Sequence, residues 1–403
     1  MKFIDGGVTA AKGFRAAGVP AGIKYKGRRD VALLVADRPC ACAGVFTTNA
    51  VAAAPVVYDR EVVKGGVAQA ILANSGCANA CTGPAGLAAA RESAAKTAAA
   101  LGVDPRHVLV ASTGVIGAPL PLDRLLKGMI AAAGELAATR EAAKNAEAAV
   151  MTTDTKPKEA AVRLKIGGKT VTVGGMCKGS GMIEPNMATM LGFITTDCAV
   201  SAPMLRRALK LAIAKSFNRV VVDGDESTND SVFLLASGAA GNAPIVRGGA
   251  DFDAFADALA AVGVALAKQM AADGEGATKF VTVVVKGART QHDADRAARA
   301  IAKSPLAKTS WFGKDPNWGR VLAAAGYSGA AVDDRKAEVF YGKTWAYRKG
   351  RVADAAQLAR LAKELEGDEL KVTVDLHLGD FEGVVYTCDF SLDYVHINAD
   401  YTT

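Results

Sequence analysis

Cys177-Lys178-Gly179-Ser180-Gly181-Met182-Ile183-Glu184-Pro185-Asn186-Met187-Ala188-Thr189-Met190-Leu191-Gly192-Phe193-Ile194-Thr195-Thr196-Asp197 is the stretch on which the reading of this chain turns. A Gly- and Pro-containing loop with one lysine runs directly into a strand-like segment, Met190–Thr195, and Thr189 stands at the junction after the small residue Ala188. Taken alone, the plain reading is a loop followed by a buried strand, with Thr189 as an ordinary β-branched first residue.

Around this segment, short apolar runs alternate with longer helical patterns. Val31–Ala36, Val67–Ala73, Val108–Ala111 and Val220–Val222 are strand-sized and rich in Val, Ile or Leu. Gly86–Leu101 and Leu120–Val150 are Ala-rich and helical in pattern. Ser201–Phe217 opens with a Ser cap and Pro203 in its first turn, then sets Leu205, Leu209, Ala212 and Ile213 on one stripe. Asp251–Ala272 repeats that stripe with Phe252, Phe255, Leu259, Val262, Leu266 and Met270. The class is mixed α/β, with sheets covered by helices. After Gly274–Thr278 the texture changes to Phe280–Lys286, a helix at Asp293–Lys303, a loop at Ser310–Trp318, and strands at Ala337–Tyr341, Lys371–Leu378 and Val384–Ser391. The expected division is therefore a main domain over 1–280 and a smaller α/β domain over 281–403.

The bulk numbers set outer limits. The chain has 403 residues, 50% of them hydrophobic, so it can bury enough apolar surface to offset the entropy of ordering. The net charge of +7 is scattered among acidic neighbours, without the basic, aromatic-interleaved patch of a nucleic-acid binder. Seven cysteines, an odd number in a long core-forming chain, argue against a disulfide framework. Cys40-x-Cys42 and Cys77-x3-Cys81 have apolar flanks, poor spacing and no nearby His pair, so no metal site is expected. Neither a secretory leader nor an apolar run of membrane-spanning length is read, and a cytoplasmic protein is expected.

Several motifs fail on inspection. Gly168-Lys169-Thr170 and Gly342-Lys343-Thr344 resemble the end of a phosphate-binding loop, but the required earlier glycines are Arg163 and Ala337. Asp223-Gly224-Asp225-Glu226-Ser227 begins like a calcium loop, yet position six is Thr228 and position twelve is Leu234.

A sharper reading of Thr189 uses its hydroxyl as a nucleophile. Attack on the carbonyl of Ala188 would produce an ester, and hydrolysis of that ester would leave Thr189 with a free α-amine. An α-amine has a pKa near ~8, so one residue would then supply both nucleophile and base. The oxyanion formed would need donors. Ser112-Thr113-Gly114-Val115-Ile116-Gly117, directly after the strand Val108–Ala111, offers a hydroxyl and a backbone N–H in a Gly-containing turn.

Together these segments resemble the ornithine acetyltransferase family, the bifunctional glutamate N-acetyltransferases of arginine biosynthesis. The similarity covers almost the whole chain. It runs through Gly13–Gly18, Gly44–Asn49, Asn74–Ala80, Thr113-Gly114, Met151-Thr152-Thr153-Asp154-Thr155, Lys178–Asp197, Asp223–Asp230, Gly274–Lys279, Asp315–Arg320 and Ile397–Thr403. Cys77 and Glu226 depart from the family's commonest wording, which has Asn and Thr there. The resemblance implies an αββα-type sandwich like that of N-terminal-nucleophile acyltransferases, with the C-terminal tail returning to the site. It implies self-cleavage between Ala188 and Thr189 into fragments 1–188 and 189–403 that stay together, pairing into a heterotetramer. It makes Thr189 the acetylated nucleophile, with Thr113 and Gly114 as the oxyanion hole. Thr152, Lys178, Glu275, Asn398, Thr403 and Thr189 itself would contact substrate. The implied reaction is a ping-pong transfer of acetyl from N-acetylornithine to glutamate, releasing ornithine. No metal or organic cofactor takes part in it, although acetyl-CoA is a possible co-substrate. The rival readings are an aminopeptidase-like amidase of the same architecture and an uncleaved binding protein.

Overall fold

A computed structural model describes residues 1–184 and 190–400. The first part of the chain forms β1 (Lys2–Ile4), β2 (Phe14–Val19), β3 (Val31–Phe46), α1 (Ala54–Lys64), β4 (Val67–Asn74), α2 (Gly83–Leu101) and β5 (Val108–Ser112). It continues with α3 (Leu122–Gly134), α4 (Arg140–Val150), β6 (Glu159–Ile166), β7 (Lys169–Lys178), β8 (Leu191–Thr196), α5 (Ala202–Lys215), β9 (Ser231–Ala236) and α6 (Ala250–Ala272). Among the described residues these strands make one nine-stranded sheet in the order β1-β6-β7-β8-β9-β3-β4-β5, with β2 also on β3.

Strand β3 explains how one sheet becomes two layers. Its first half, Val31–Val35, pairs with β2 and β4, and its second half, Ala41–Phe46, pairs with β9. Between the halves the register slips, where Asp37, Arg38 and Pro39 are exposed. Proline cannot donate to a ladder, so this is where the strand can bend. The two halves of the sheet then face each other.

Period-two alternation assigns each side chain to a layer. Phe14, Ala32, Leu34, Ile71, Leu109, Phe193, Phe233 and Leu235 all enter one buried core between the sheet halves. Their neighbours Val31, Leu33, Val35 and Leu72 point the other way, onto Ala90, Ala94 and Ala98 of α2 and Leu125 and Met129 of α3. On the opposite outside, Ile194, Val232 and Leu234 meet Leu205 and Leu209 of α5 and Phe255, Leu259 and Leu266 of α6. This is the expected αββα sandwich. Burying one such Leu or Phe contributes ~1.5–3 kcal/mol, which is why three continuous cores hold so alanine-rich a chain together.

A second sheet opens at Phe280. Its elements are β10 (Phe280–Ala288), α7 (Gln291–Lys303), α8 (Pro305–Phe312), α9 (Trp318–Tyr327), β11 (Glu338–Tyr341), β12 (Thr344–Arg348), β13 (Arg351–Val352), α10 (Ala355–Glu364), β14 (Glu369–Asp375), β15 (Phe381–Cys388) and α11 (Leu392–Asp400). The order is β13-β12-β11-β14-β10-β15, and α7, α8 and α9 cover one face. Tyr386 and Cys388 on the other face join the core around α6.

Several local expectations are corrected. Leu120–Val150 is two helices, because Ala137 in the break exchanges backbone hydrogen bonds with Ala16 of β2 and Thr139 caps α4 through Ala142 N–H. Ser310–Trp318 is not one loop: α8 runs to Phe312, and Asn317 caps α9 by accepting from Arg320 N–H. Val220–Val222 is no strand, since Val220 makes only an isolated bridge with Tyr386. Ser201 makes no side-chain cap bond; its N–H goes instead to the carbonyl of Ile245. The two Gly-Lys-Thr sequences lie at the β6–β7 and β11–β12 hairpin turns.

Candidate active site

At the ends of β4, β5, β7 and β9 the sandwich opens into a cleft. The turn after β5 is its most tightly built wall. Asn74 at the end of β4 accepts from Ser112 Oγ through Oδ1 at 2.7 Å and donates through Nδ2 to the carbonyl of Cys77 at 2.9 Å. Thr113 N–H goes to the Asn74 carbonyl at 3.0 Å, so its backbone is fixed where the residue lines the cleft. Gly114 has φ +128°, and a Cβ there would lie 2.4 Å from the Gly76 carbonyl carbon, so no other residue fits. Asn229 locks the same wall, donating to the carbonyls of Ala78 at 2.6 Å and Ser112 at 2.8 Å.

The facing wall is organised around buried charge. Lys178 ends β7 and is 8% exposed. Behind it, Asp154 Oδ1 accepts from Gly179 N–H at 2.7 Å and from Lys158 Nζ at 2.8 Å, while Oδ2 accepts from Thr152 N–H at 3.1 Å. Burial by itself would raise the Asp154 pKa, but Lys178, Lys158 and the Gly179 N–H outweigh it and hold the carboxyl at about 2. Lys158 Nζ also lies 2.5 Å from Asp273 Oδ2, and Asp273 accepts from Thr155 and Lys156 as well. One buried lysine therefore ties together the Thr152 loop, the end of β7 and the segment leading to Glu275.

Glu275 donates its N–H to the carbonyl of Ser180 at 2.9 Å. Its carboxylate lies where Gly181 has no side chain: a Cβ at 181 would come within 2.3 Å of it. Asn398 on α11 donates to Glu275 Oε2 at 2.8 Å. Thr113, Gly114, Thr152, Lys178, Glu275 and Asn398 thus line one cleft of about 110 Å³. Thr189, Ala188 and Thr403 lie outside the described residues. Met190, the next residue after Thr189 in the chain, lines the cleft.

Residues not singled out from the sequence also face this space, chiefly Thr153, Asn229 and Asp230. The acidic run Asp223–Asp230 was visible, but not which carboxyl points inward. Asp223 is turned onto the N–H groups of Met182 at 2.6 Å and Ile183 at 2.8 Å, whereas Asp230 lines the cleft. Burial pushes the Asp230 carboxyl well above its ordinary pKa, only partly offset by Ser227, Lys178 and Met190 N–H.

Among the described residues, no group of three or more His, Cys, Asp or Glu converges as metal ligands, and no helix is long and apolar enough to cross a membrane.

A model of the ArgJ family matches residues 15–403. The chain belongs to the ArgJ family. The arginine biosynthesis bifunctional protein ArgJ of Symbiobacterium thermophilum is 54% identical over 407 residues, covering 100% of each chain. The glutamate N-acetyltransferase of Methanocaldococcus jannaschii is 46% identical over 414 residues, again covering 100% of each. Among solved structures, the ornithine acetyltransferase of Mycobacterium tuberculosis complexed with ornithine is 44% identical. It covers 46% of this chain and 99% of that chain, with a TM-score of 0.43. The family resemblance drawn from the sequence motifs is borne out.

Proposed function

We propose that this ArgJ-family enzyme is a self-cleaving glutamate N-acetyltransferase of arginine biosynthesis, with Thr189 as its nucleophile. The observation that carries the reading is the convergence on one cleft of the Thr113–Gly114 turn, the buried cation Lys178 and the Glu275–Asn398 pair, with Met190 beside them. The substrate class follows from the relatives, an arginine biosynthesis bifunctional protein and a glutamate N-acetyltransferase.

In this mechanism Thr189 Oγ attacks the carbonyl of Ala188, and hydrolysis of the ester leaves fragments 1–188 and 189–403. The new α-amine then takes the Oγ proton as Oγ attacks the acetyl carbonyl of N-acetylornithine. Negative charge developing on the carbonyl oxygen is met by the Thr113 hydroxyl and Gly114 N–H. The proton passes to the departing nitrogen and ornithine leaves. The α-amine of glutamate attacks the acetyl-Thr189 ester, its proton passes by way of the Thr189 α-amine to Oγ as the acyl–oxygen bond breaks, and N-acetylglutamate departs.

Lys178 suits the α-carboxylate common to both amino acids, and Glu275 suits the cationic end of ornithine. Asn398, Thr152 and Thr403 orient the bound chain. The reading calls on protein groups, the water of self-cleavage and the two substrates, with acetyl-CoA as an additional donor if the enzyme is bifunctional. The two fragments stay within one fold and pair into a heterotetramer in the cytoplasm.

The test is the intact mass of the purified chain beside Thr189→Ala, followed by acetyl transfer from N-acetylornithine to glutamate. Two fragments from the unmodified chain, an intact variant and acceptor-dependent transfer are expected. Acetate release that does not depend on any acceptor would replace the transferase with an amidase. An intact chain in both samples would remove the proposed nucleophile.

A further inference from the structure

Self-cleavage poses a proton problem that the mature enzyme does not have. Before cleavage the nitrogen of residue 189 belongs to a peptide bond, so it has no basic lone pair with which to accept the hydroxyl proton. A separate base is required for the first acyl shift. Of the described acidic side chains lining the cleft, Glu275 is already hydrogen-bonded to Asn398.

Asp230 is the other. It is 2% exposed and lines the cleft, and its Oδ2 has no hydrogen-bond partner among the described residues. Its position is set by the sheet. Strands β8 and β9 run parallel with Leu191 opposite Ser231, and Ser231 N–H donates to the Met190 carbonyl at 2.9 Å. Asp230 therefore stands at the head of β9 beside Met190 at the head of β8. Its own carbonyl is held by Thr47 N–H at 2.9 Å, which anchors the backbone that aims the carboxyl. Ser227 and the Met190 N–H meet this carboxyl only in part, which leaves Oδ2 free to accept a proton.

From this juxtaposition we infer that Asp230 is the proton-accepting group of the self-cleavage step. The inference rests on the self-cleaving reading above. As the Oγ–C bond to Ala188 forms, the Oγ–H bond breaks and its proton passes to the Asp230 carboxylate. As the C–N bond of residue 189 breaks, Asp230 returns that proton to the departing nitrogen. Water then cleaves the ester, and Asp230 ends as it began. After cleavage the α-amine takes over as base. The groups facing Asp230 are Lys178 from β7, Glu226 and Ser227 from its own loop, and Met190 N–H from β8; burial dominates over all of them and favours the proton-bound form. The competent carboxylate therefore grows with pH.

The experiment follows freshly folded full-length precursor to fragments by intact mass across pH, for the unmodified chain, Asp230→Asn and Asp230→Glu, with thermal unfolding recorded for each. The unmodified chain should cleave faster as pH rises. Asp230→Asn should cleave about 100-fold more slowly or worse and lose that rise, as removal of a general base predicts. Asp230→Glu should recover cleavage, with the rise displaced along the pH axis. Asp230→Asn cleaving at the original rate would overturn the inference. So would Asn and Glu variants that are equally slow while keeping the original pH dependence, which is the pattern of a structural carboxyl. An unmodified chain that never cleaves would instead overturn the reading on which the inference rests.

Discussion

Asn398 Nδ2 lies 2.8 Å from Glu275 Oε2, a hydrogen bond between residues 123 positions apart in the chain. It ties the last helix, α11, to the loop between α6 and β10 and brings both to the cleft wall. Its contribution is testable. A hydrogen bond to a charged group is worth about 1.5–3 kcal/mol. Asn398→Ala should weaken ornithine binding by about 10-fold or more, measured by calorimetry, because each ~1.4 kcal/mol is tenfold in affinity.

Thr113→Ala should lower acetyl-transfer kcat by about 10²–10³-fold, the usual effect of removing one oxyanion donor. The turn itself should survive, since Thr113 is held through its backbone N–H to the Asn74 carbonyl. Unchanged thermal unfolding beside a lowered kcat is the expected pair of results, and Thr113→Ser should recover most of the rate. A full-rate Thr113→Ala enzyme would remove this hydroxyl from the mechanism.

Lys158→Met should destabilise the protein by about 3–5 kcal/mol, because it removes the buried cation that the carboxylates of Asp154 and Asp273 share. Denaturant unfolding measures this. The same cluster governs acid stability. The folded pKa of Asp154 is depressed to about 2, so its stabilisation is present above the unfolded carboxyl value of ~3.9 and fades as pH falls toward 2.

Glu147 on α4 behaves in the opposite sense. It is 1% exposed, and neither carboxylate oxygen has a hydrogen-bond partner among the described residues. Burial first, and then the nearby Glu159, raises its pKa to about 7. A raised folded pKa means the contribution to stability is full below the unfolded value of ~4.3 and is lost as pH climbs through about 7. Glu147→Gln should therefore stabilise the protein at pH 8 by up to roughly 3 kcal/mol and change little at pH 4. Equal unfolding midpoints for both proteins at pH 8 would show that Glu147 ionises without cost.

The helices and most strands were legible because each must bury one stripe or face, and that demand is written locally as a period in the sequence. The Leu205–Ile213 and Phe252–Met270 stripes lie where the periodicity put them, on the outer core of the sandwich. The misreadings share a cause. Leu120–Val150 carries helical propensity throughout, yet it breaks where Ala137 pairs with Ala16 across the fold. Propensity is worth tenths of a kcal/mol per residue, and a pair of long-range backbone hydrogen bonds overrides it.

The residue types of the site were likewise readable in order along the chain: a Thr-Gly turn, a lysine ending a strand, a glutamate in a glycine loop. Their meeting was not. The bend of β3 at Arg38-Pro39, the parallel pairing of β8 with β9 and the return of α11 to Glu275 join positions tens to hundreds of residues apart. Sequence settles which chemical groups are present and which local shape each segment favours, because those follow from neighbours within a turn or a strand. Which of two similar carboxyls, Asp223 or Asp230, faces the cleft is settled only when the chain is packed. Burial and hydrogen-bond partners are properties of the assembled sandwich and not of any segment of it.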